Sequence, residues 1–136
     1  MPGRLAIALL LLTACSSGPS PKKAEKERER AASAATSAGM IAAAWDSGAA
    51  PGIYASHALE RISADFRRTG EASVWSALPA ASRTGLIAEL EALHAASAGM
   101  DSAIVRRDHA AVRALRRALA VHGYALAAVP IDTGSR

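Results

Sequence analysis

The sequence predicts an all-α protein, a small antiparallel up-down bundle of four alanine-rich helices. Its 136 residues are the size of a single small domain. Alanine supplies 35 of them, so the apolar half of the composition is poor in the large side chains that build thick cores. Between glycine and proline breaks, apolar residues recur at helical spacings, and no segment alternates apolar and polar residues convincingly. Four helices with short connections pack most simply as antiparallel neighbours.

The first two predicted helices are separated by a turn rich in glycine and proline. The first runs from about Lys22 to Ser47, and mixed charges at its start are spaced to pair along the helix at about 0.2–0.5 kcal/mol per pair. The second begins near Pro51, a residue suited to the first helical position, and ends either at Gly70 or beyond Trp75. The expected apolar stripes are Ala34, Ser37, Ile41, Ala44 and Trp45 on the first helix, and Ala55, Ala58, Leu59, Ile62 and Phe66 on the second.

The third and fourth predicted helices carry clearer apolar stripes. Pro79 opens the third helix, and Asp108 is the expected N-cap of the fourth. Both stripes recur at spacings of three and four, which is typical of a coiled-coil seam. The expected stripes are Leu86, Leu90, Leu93, Ser97, Met100 and Ile104 on the third helix, and Val112, Leu115, Leu119, His122 and Leu126 on the fourth. Residues 129–136 are expected to form a frayed tail.

The beginning of the chain has the pattern of an export signal. Arg4 precedes an unbroken apolar run at residues 5–12, which small residues and the polar Ser16 follow. The run is shorter than the roughly 20 residues that span a bilayer, and it is typical of a signal peptide. The tetrapeptide Leu12-Thr13-Ala14-Cys15 resembles the lipobox of bacterial lipoproteins, and Cys15 is the only cysteine in the chain.

This resemblance implies that Cys15 carries a lipid anchor. In bacterial lipoproteins a diacylglycerol alkylates the thiol, the preceding peptide bond is cut, and the new amine is often acylated. Residues 1–14 are then the signal peptide, and residues 15–21 are the lipidated cysteine and a flexible tether ahead of a bundle at residues 22–128. At about 0.8 kcal/mol per buried methylene, two or three acyl chains hold a small domain durably. Ser16 resembles the outer-membrane pattern, so an envelope location is expected, with the outer membrane favoured where two membranes exist.

One side-chain pair has the spacing of a metal site. Glu91 and His94 form a Glu-x-x-His pattern, which on a helix brings both side chains to one metal, as in di-iron bundles. A second such pattern is missing, because His57, His109 and His122 have no glutamate three residues before them. The helical angles also direct Glu91 toward solvent and place His94 at the edge of the core. A metal-binding or metal-sensing bundle is therefore the alternative and not the main prediction.

The sequence lacks the motifs of common enzymes. Its serines have no Gly-x-Ser-x-Gly context, and there is no glycine-rich phosphate loop. No histidine pair has zinc-ligand spacing, and an acylated Cys15 is not a nucleophile. The chain is therefore predicted not to be an enzyme, and no cofactor or small-molecule substrate is expected.

Basic residues supply the candidate partner-binding surface. The chain has 16 Lys and Arg against 12 Asp and Glu, and removal of the signal peptide leaves a modest balance of +3. Arginines cluster around the start of the fourth helix at Arg106, Arg107, Arg113, Arg116 and Arg117. They suit an acidic partner, anionic lipid or a wall polymer, although arginines also keep an alanine-rich surface soluble. Nucleic acid is not an expected target of an exported protein.

These features predict a membrane-anchored, non-enzymatic envelope lipoprotein that binds an envelope protein or a cell-wall polymer through an exposed helix face. The lipoprotein resemblance covers about the first 20 residues, and it implies nothing about the partner. A cationic module that binds anionic lipid or cell-wall polymer through the arginines is a second alternative.

Overall fold

The computed structural model describes residues 18–134; residues 1–17, which include Cys15, and residues 135–136 lie outside it. Within the described residues the chain forms four α-helices, which are α1 (Pro21–Asp46), α2 (Gly52–Gly70), α3 (Ala80–Val105) and α4 (His109–Ala128). Each helix packs against the next, and α1 closes the ring by packing against α4, while α1 and α3 touch only slightly. The predicted up-down bundle is confirmed.

The antiparallel order gives the bundle two ends, named here by their distance along the chain from Cys15. At the proximal end α1 and α3 begin, and α2 and α4 terminate. At the distal end α1 and α3 terminate, and α2 and α4 begin. Because α1 has 26 residues at 1.5 Å each, the two ends are about 39 Å apart.

Side-chain caps set the starts of α1 and α4. The Ser20 hydroxyl accepts the backbone N–H of Lys23, and Pro21 occupies the first turn of α1, where a missing N–H leaves no bond unmade. The carboxylate of Asp108 accepts the backbone N–H of Ala111 and caps α4. The predicted N-cap at Asp108 is thus confirmed.

Prolines precede the other two helices. Pro51 and Pro79 have extended ψ angles of 144° and 149° and stand immediately before α2 and α3. The sequence predicts Pro51 at the first helical position, but it lies one position before α2. The proline ring fixes φ but leaves ψ free to be extended, so the residue alone does not decide on which side of the boundary it lies.

The core confirms three of the four predicted stripes. All six stripe residues of α3 are buried, and those of α2 and α4 are buried or half-buried. On α1 the prediction is confirmed only in part, because Trp45 is buried and Ala34 and Ile41 pack against the core, but Ser37 is exposed. The buried residues of α1 are Ala24, Ala31, Ala35, Ala38, Ala42 and Trp45. Alanine covers nearly every side of this helix beyond its charged start, so its sequence has too little contrast between faces to fix its rotation.

A short 3-10 helix at Ser73–Ala77 follows α2, which ends at Gly70. This segment places Trp75 in the core at the proximal end, where its indole N–H donates to the carbonyl oxygen of Thr69. Trp45 is buried at the distal end. The two tryptophans therefore close opposite ends of a core that alanine leaves thin.

The segment after α4 is attached to the bundle. Val129 and Ile131 pack against the core, and the Arg28 guanidinium donates to the carbonyl oxygen of Val129. The expected frayed tail is therefore wrong for these residues. Apolar side chains continue past the last helical residue, and covering core surface with them is favourable.

Small residues let α1 and α4 approach closely. A β-carbon at Gly123 would stand 3.1 Å from the β-carbon of Ala35, which is tighter than an ordinary van der Waals contact, so one of the two helices would have to move by a few tenths of an ångström. A β-carbon at Gly39 would meet a Leu119 methyl at 3.9 Å, an ordinary van der Waals contact. Two glycines of one interface therefore differ in their tolerance of a methyl group.

Alanine substitution at these two glycines should change stability in opposite directions. Gly39→Ala is expected to stabilise the fold by about 0.5–1 kcal/mol, because alanine favours the helix and the new methyl has room. Gly123→Ala gains the same helix preference but presses two backbone-attached carbons together, so a net loss of about 1 kcal/mol is expected. Chemical denaturation of the full chain, followed by circular dichroism, measures both. Equal stabilisation by the two substitutions would contradict the close approach.

Candidate functional site

A groove of about 750 Å³ runs along the outer surface of the bundle between α1 and α4. Its floor consists of small and apolar side chains from both helices: Ala32, Ala35, Gly39, Ala43, Leu119, Ala120, Gly123 and Ala127. These side chains are too short to fill the space between the two helix surfaces. At 1.5 Å per residue, the lining positions extend over about 20 Å of α4.

Larger side chains form the rim of this groove. Tyr124 and Met40 line it and are 81% and 68% exposed, so much of their apolar surface is uncovered. Arg113, Arg116 and Arg117 line its distal half. The groove therefore combines an apolar floor with a cationic distal half.

Acidic residues along the groove do not balance this positive charge. Helix α4 contains no Asp or Glu, and α1 has no charged residue from position 31 to position 45. Arg113 pairs with Asp46 at 3.2 Å between Nη1 and Oδ1. Within residues 18–134, Arg116 and Arg117 have neither an ion pair nor a side-chain hydrogen bond. Two guanidinium groups are thus available to an anionic partner.

Asp46, at the end of α1, links the two helices at the distal end of the groove. Its carboxylate accepts hydrogen bonds from His109 at 2.7 Å and from Arg113, both on α4. The His109 ring stacks on Trp45 with 4.3 Å between ring centroids and 14° between planes. The hydrogen bond from His109, followed by the charge and hydrogen bond of Arg113, holds the pKa of Asp46 below its ordinary value.

The structure separates the five predicted arginines into two places. Arg113, Arg116 and Arg117 share the groove, as their helical spacing would indicate. Arg106 and Arg107 lie in the turn between α3 and α4, at the distal end, and Arg107 lines a separate depression of about 380 Å³. The arginine cluster is therefore not one continuous site.

The pair considered as a metal site makes other contacts. Glu91 is exposed, and the Nδ1–H of His94 donates to the backbone carbonyl of Ser63 at 2.8 Å. The Ser63 hydroxyl donates in return to the carbonyl of His94 at 3.3 Å. Residues 18–134 contain no group of three or more His, Cys, Asp and Glu side chains that could hold a metal ion. His94 thus connects α2 to α3.

Two further polar contacts join neighbouring helices. His122 donates from Nδ1 to the Glu89 carboxylate at 2.7 Å and links α4 to α3. The Ser56 hydroxyl donates to Asp101 and links α2 to α3. None of these four residues lines the groove.

The apolar half of the groove was not predicted from the sequence. One signal for it exists on α4, because Arg113, Arg117, Ala120 and Tyr124 follow one another at spacings of four, three and four. The opposite wall gives no such signal, because the rotation of α1 is not readable from an alanine-rich sequence. A groove between two helices requires both faces to be known.

No helix within residues 18–134 has the length and hydrophobicity required to cross a bilayer. No protein-family model, curated protein or solved structure matches the chain.

Replacement of Asp46 by asparagine should lower stability in a pH-dependent manner. Because the pKa of Asp46 is lowered on folding, its stabilising effect is present above about pH 4, the ordinary pKa of an aspartate, and is lost as the pH falls through the folded value. Asp46→Asn is expected to melt below the wild type at neutral pH, with the two melting temperatures converging in acid. Thermal melts across pH measure this, with Glu91→Gln as an exposed carboxylate control. A difference that stays constant with pH would contradict the assignment.

Proposed function

We propose that this protein is a lipid-anchored, non-enzymatic binding module of the bacterial cell envelope, which holds another envelope protein in the groove between α1 and α4. The binding role rests on one observation: the exposed apolar surface of Met40 and Tyr124 lies in the same groove as Arg116 and Arg117, which have no ion-pair partner within residues 18–134. The anchor rests on the lipobox resemblance at Leu12-Thr13-Ala14-Cys15.

The position of the proposed anchor gives the bundle an orientation. Helix α1 begins at Pro21, six positions after Cys15, and six extended residues reach at most about 20 Å. With Cys15 lipidated, the proximal end stays within this distance of the membrane. The distal end then lies up to about 39 Å farther from the membrane than the proximal end. The groove lies along the side of the bundle and is accessible to a partner protein in this arrangement.

The chemistry of the groove favours an acidic amphipathic helix as the occupant. Its alanine and glycine floor lets a third helix approach closely, and a length of about 20 Å accommodates about 13 helical residues. Arg116 and Arg117 attract carboxylates, and the existing pair between Arg113 and Asp46 is an internal example of that contact. The occupant therefore carries apolar side chains toward the floor and Asp or Glu toward the distal half.

The ionisable groups of the groove support binding over catalysis. Among residues 18–134, those that line it are three arginines and Tyr124. His94, His122, Glu89, His109 and Asp46 form contacts between helices and are not among the lining residues. A hydrolytic or transfer reaction needs a nucleophile or a general base beside the bound substrate. The Thr36 hydroxyl also lines the groove, but it donates to the carbonyl oxygen of Ala32, and no histidine or carboxylate lines the groove beside it. The lining residues therefore suit recognition of an anionic, partly apolar surface.

Replacement of Cys15 by serine should release the protein from the membrane, because a hydroxyl does not replace the thiol in lipidation. The wild type is expected to incorporate labelled palmitate and to sediment with membranes, whereas Cys15→Ser remains unlabelled and unprocessed. Metabolic labelling and fractionation of bacterial cells measure both, with Ser17→Ala as the control. Absence of label from the wild type, or identical fractionation of the two chains, overturns the anchor.

A designed helical peptide should bind the groove through charge and apolar contact. The probe is a fluorescent peptide of about 14 residues, rich in alanine and leucine, with glutamates at one end; a matched peptide carries lysines instead. The full-length protein in detergent is expected to bind the glutamate peptide more tightly, and less tightly as salt increases. Arg116→Glu combined with Arg117→Glu should weaken binding about tenfold or more, because two attractions become repulsions. Fluorescence anisotropy measures the affinity.

Two control proteins separate this groove from general charge effects. Arg61→Glu combined with Arg67→Glu makes the same charge change on exposed positions of α2 and is expected to leave binding unchanged. Gly39→Leu fills the floor without altering charge and is expected to abolish binding. Equal binding of the two peptides, or indifference to reversal of Arg116 and Arg117, overturns the groove proposal. Binding of anionic vesicles without peptide binding assigns these arginines to lipid and also overturns it.

A further inference from the structure

The distal end carries a second uncovered apolar surface, separate from the groove. Ile53, at the start of α2, and Val105, at the end of α3, are 72% and 71% exposed, and Tyr54, the next residue of α2, is also exposed. Ile53, Val105 and Arg107 line the depression of about 380 Å³. We call Ile53, Tyr54, Val105, Arg106 and Arg107 the distal patch. Large apolar side chains gathered at one end of a small bundle mark an interaction surface.

The two arginines of the distal patch form no ion pair within residues 18–134. Of the three aspartates at this end, Asp46 is paired with Arg113 and hydrogen-bonded by His109. Asp101 accepts from the Ser56 hydroxyl and Asp108 from the first turn of α4, and neither forms an ion pair with an arginine of the distal patch. Arg106 and Arg107 form neither an ion pair nor a side-chain hydrogen bond within the described residues. The patch is therefore complementary to a carboxylate beside an apolar group.

The backbone at Arg107 gives an independent reason to assign this residue a role. Helices α1 and α3 both end in a Schellman motif, in which two backbone hydrogen bonds close the last turn. The left-handed position is Gly48 in the first motif, with φ of 81°, and Arg107 in the second, with φ of 55°. Arg107 is the only non-glycine residue with positive φ among residues 18–134.

An arginine at such a position makes the fold less stable than a glycine would. The left-handed region brings the β-carbon of an L-residue too close to the backbone, whereas glycine has no such contact. The chain uses glycine at the end of α1 and arginine at the equivalent position of α3. Backbone strain of this kind is concentrated at functional positions.

We propose that the distal patch is a protein-docking site, which binds an acidic segment of a partner with an apolar side chain among its carboxylates. The apolar side chain enters the depression beside Ile53 and Val105. The carboxylates bind Arg106 and Arg107, which the hydrogen-bonded turn holds in place at the tip of the bundle. This site uses residues outside the groove, so it does not depend on the proposed function of the groove.

Substitutions at Arg107 separate a docking role from a purely structural one. Arg107→Gly and Arg107→Asn remove the charge and suit the left-handed backbone, so they are expected to raise the melting temperature by about 2–5 °C and to weaken docking. Arg107→Lys keeps both the charge and the backbone strain, so it is expected to change neither the melting temperature nor the docking affinity. A residue with only a structural role would change the melting temperature without affecting docking.

The docking probe is a fluorescent peptide of about ten residues, in which glutamates flank one leucine and one phenylalanine; a matched peptide carries serine in place of glutamate. Full-length protein with Arg116→Glu and Arg117→Glu is used in detergent, so that the groove does not contribute. The glutamate peptide is expected to bind more tightly, and Arg107→Gly should weaken its binding about fivefold or more. Ile53→Ser combined with Val105→Ser should also weaken it, while Arg61→Gln, which removes one exposed charge from α2, should not.

Three results would overturn this proposal. They are unchanged peptide binding in Arg107→Gly, equal binding of the glutamate and serine peptides, and binding of anionic phospholipid vesicles in place of the glutamate peptide. The last result assigns the distal patch to lipid. Because the groove arginines are already reversed in this protein, none of these results bears on the groove, and the two proposals fail separately.

Discussion

The packing of alanine and glycine between α1 and α4 is the constraint on which the rest of the structure depends. Ala35 and Gly123 meet without a larger side chain between them, and this contact closes the ring of four helices. The same short side chains leave the space outside the two helices unfilled, and that space is the groove. Larger residues there would fill the groove and push the helices apart. Closure of the bundle and the existence of its candidate binding surface thus have one physical cause.

The two sides of the bundle are filled differently. Leucine and phenylalanine side chains from α2 and α3 form the thick part of the core, whereas α1 buries alanines and a single tryptophan at its distal end. Buried apolar surface stabilises a fold roughly in proportion to its area, so the side with α1 contributes less per residue. A helix in the groove adds apolar burial on that side, and binding of a partner to the folded state raises its stability. The proposed function is consistent with a core that contains few large side chains on the side where the partner binds.

Charge is also distributed unevenly between the two ends. At the start of α1 two ion pairs at helical spacing form, with Arg28 at 4.0 Å from Glu25 and Arg30 at 3.7 Å from Glu27. Lys23, which is also spaced to pair with Glu27, donates instead to the carbonyl oxygen of Gly18. At the distal end only Asp46 pairs with an arginine, and four of the five arginines in the predicted cluster keep no acidic partner within residues 18–134. Paired charges make the surface of a helix hydrophilic without giving it a net charge. Unpaired arginines beside exposed apolar side chains create a surface that a partner of opposite charge recognises.

The sequence by itself determined the four helices, their starts to within a residue and three of their buried stripes, because a cap such as Asp108 is local and leucine contrasts with its neighbours on α3. It left the end of α2 open between Gly70 and a position beyond Trp75. It also carries the lipobox resemblance at Cys15, which lies outside the described residues and stays a prediction. Only the tertiary structure decided the rotation of α1, the attachment of Val129 and Ile131, and the separation of Arg106 and Arg107 from the groove. The reason is physical: alanine fits every side of a helix equally well, so the face that it buries is set by the helix that packs against it.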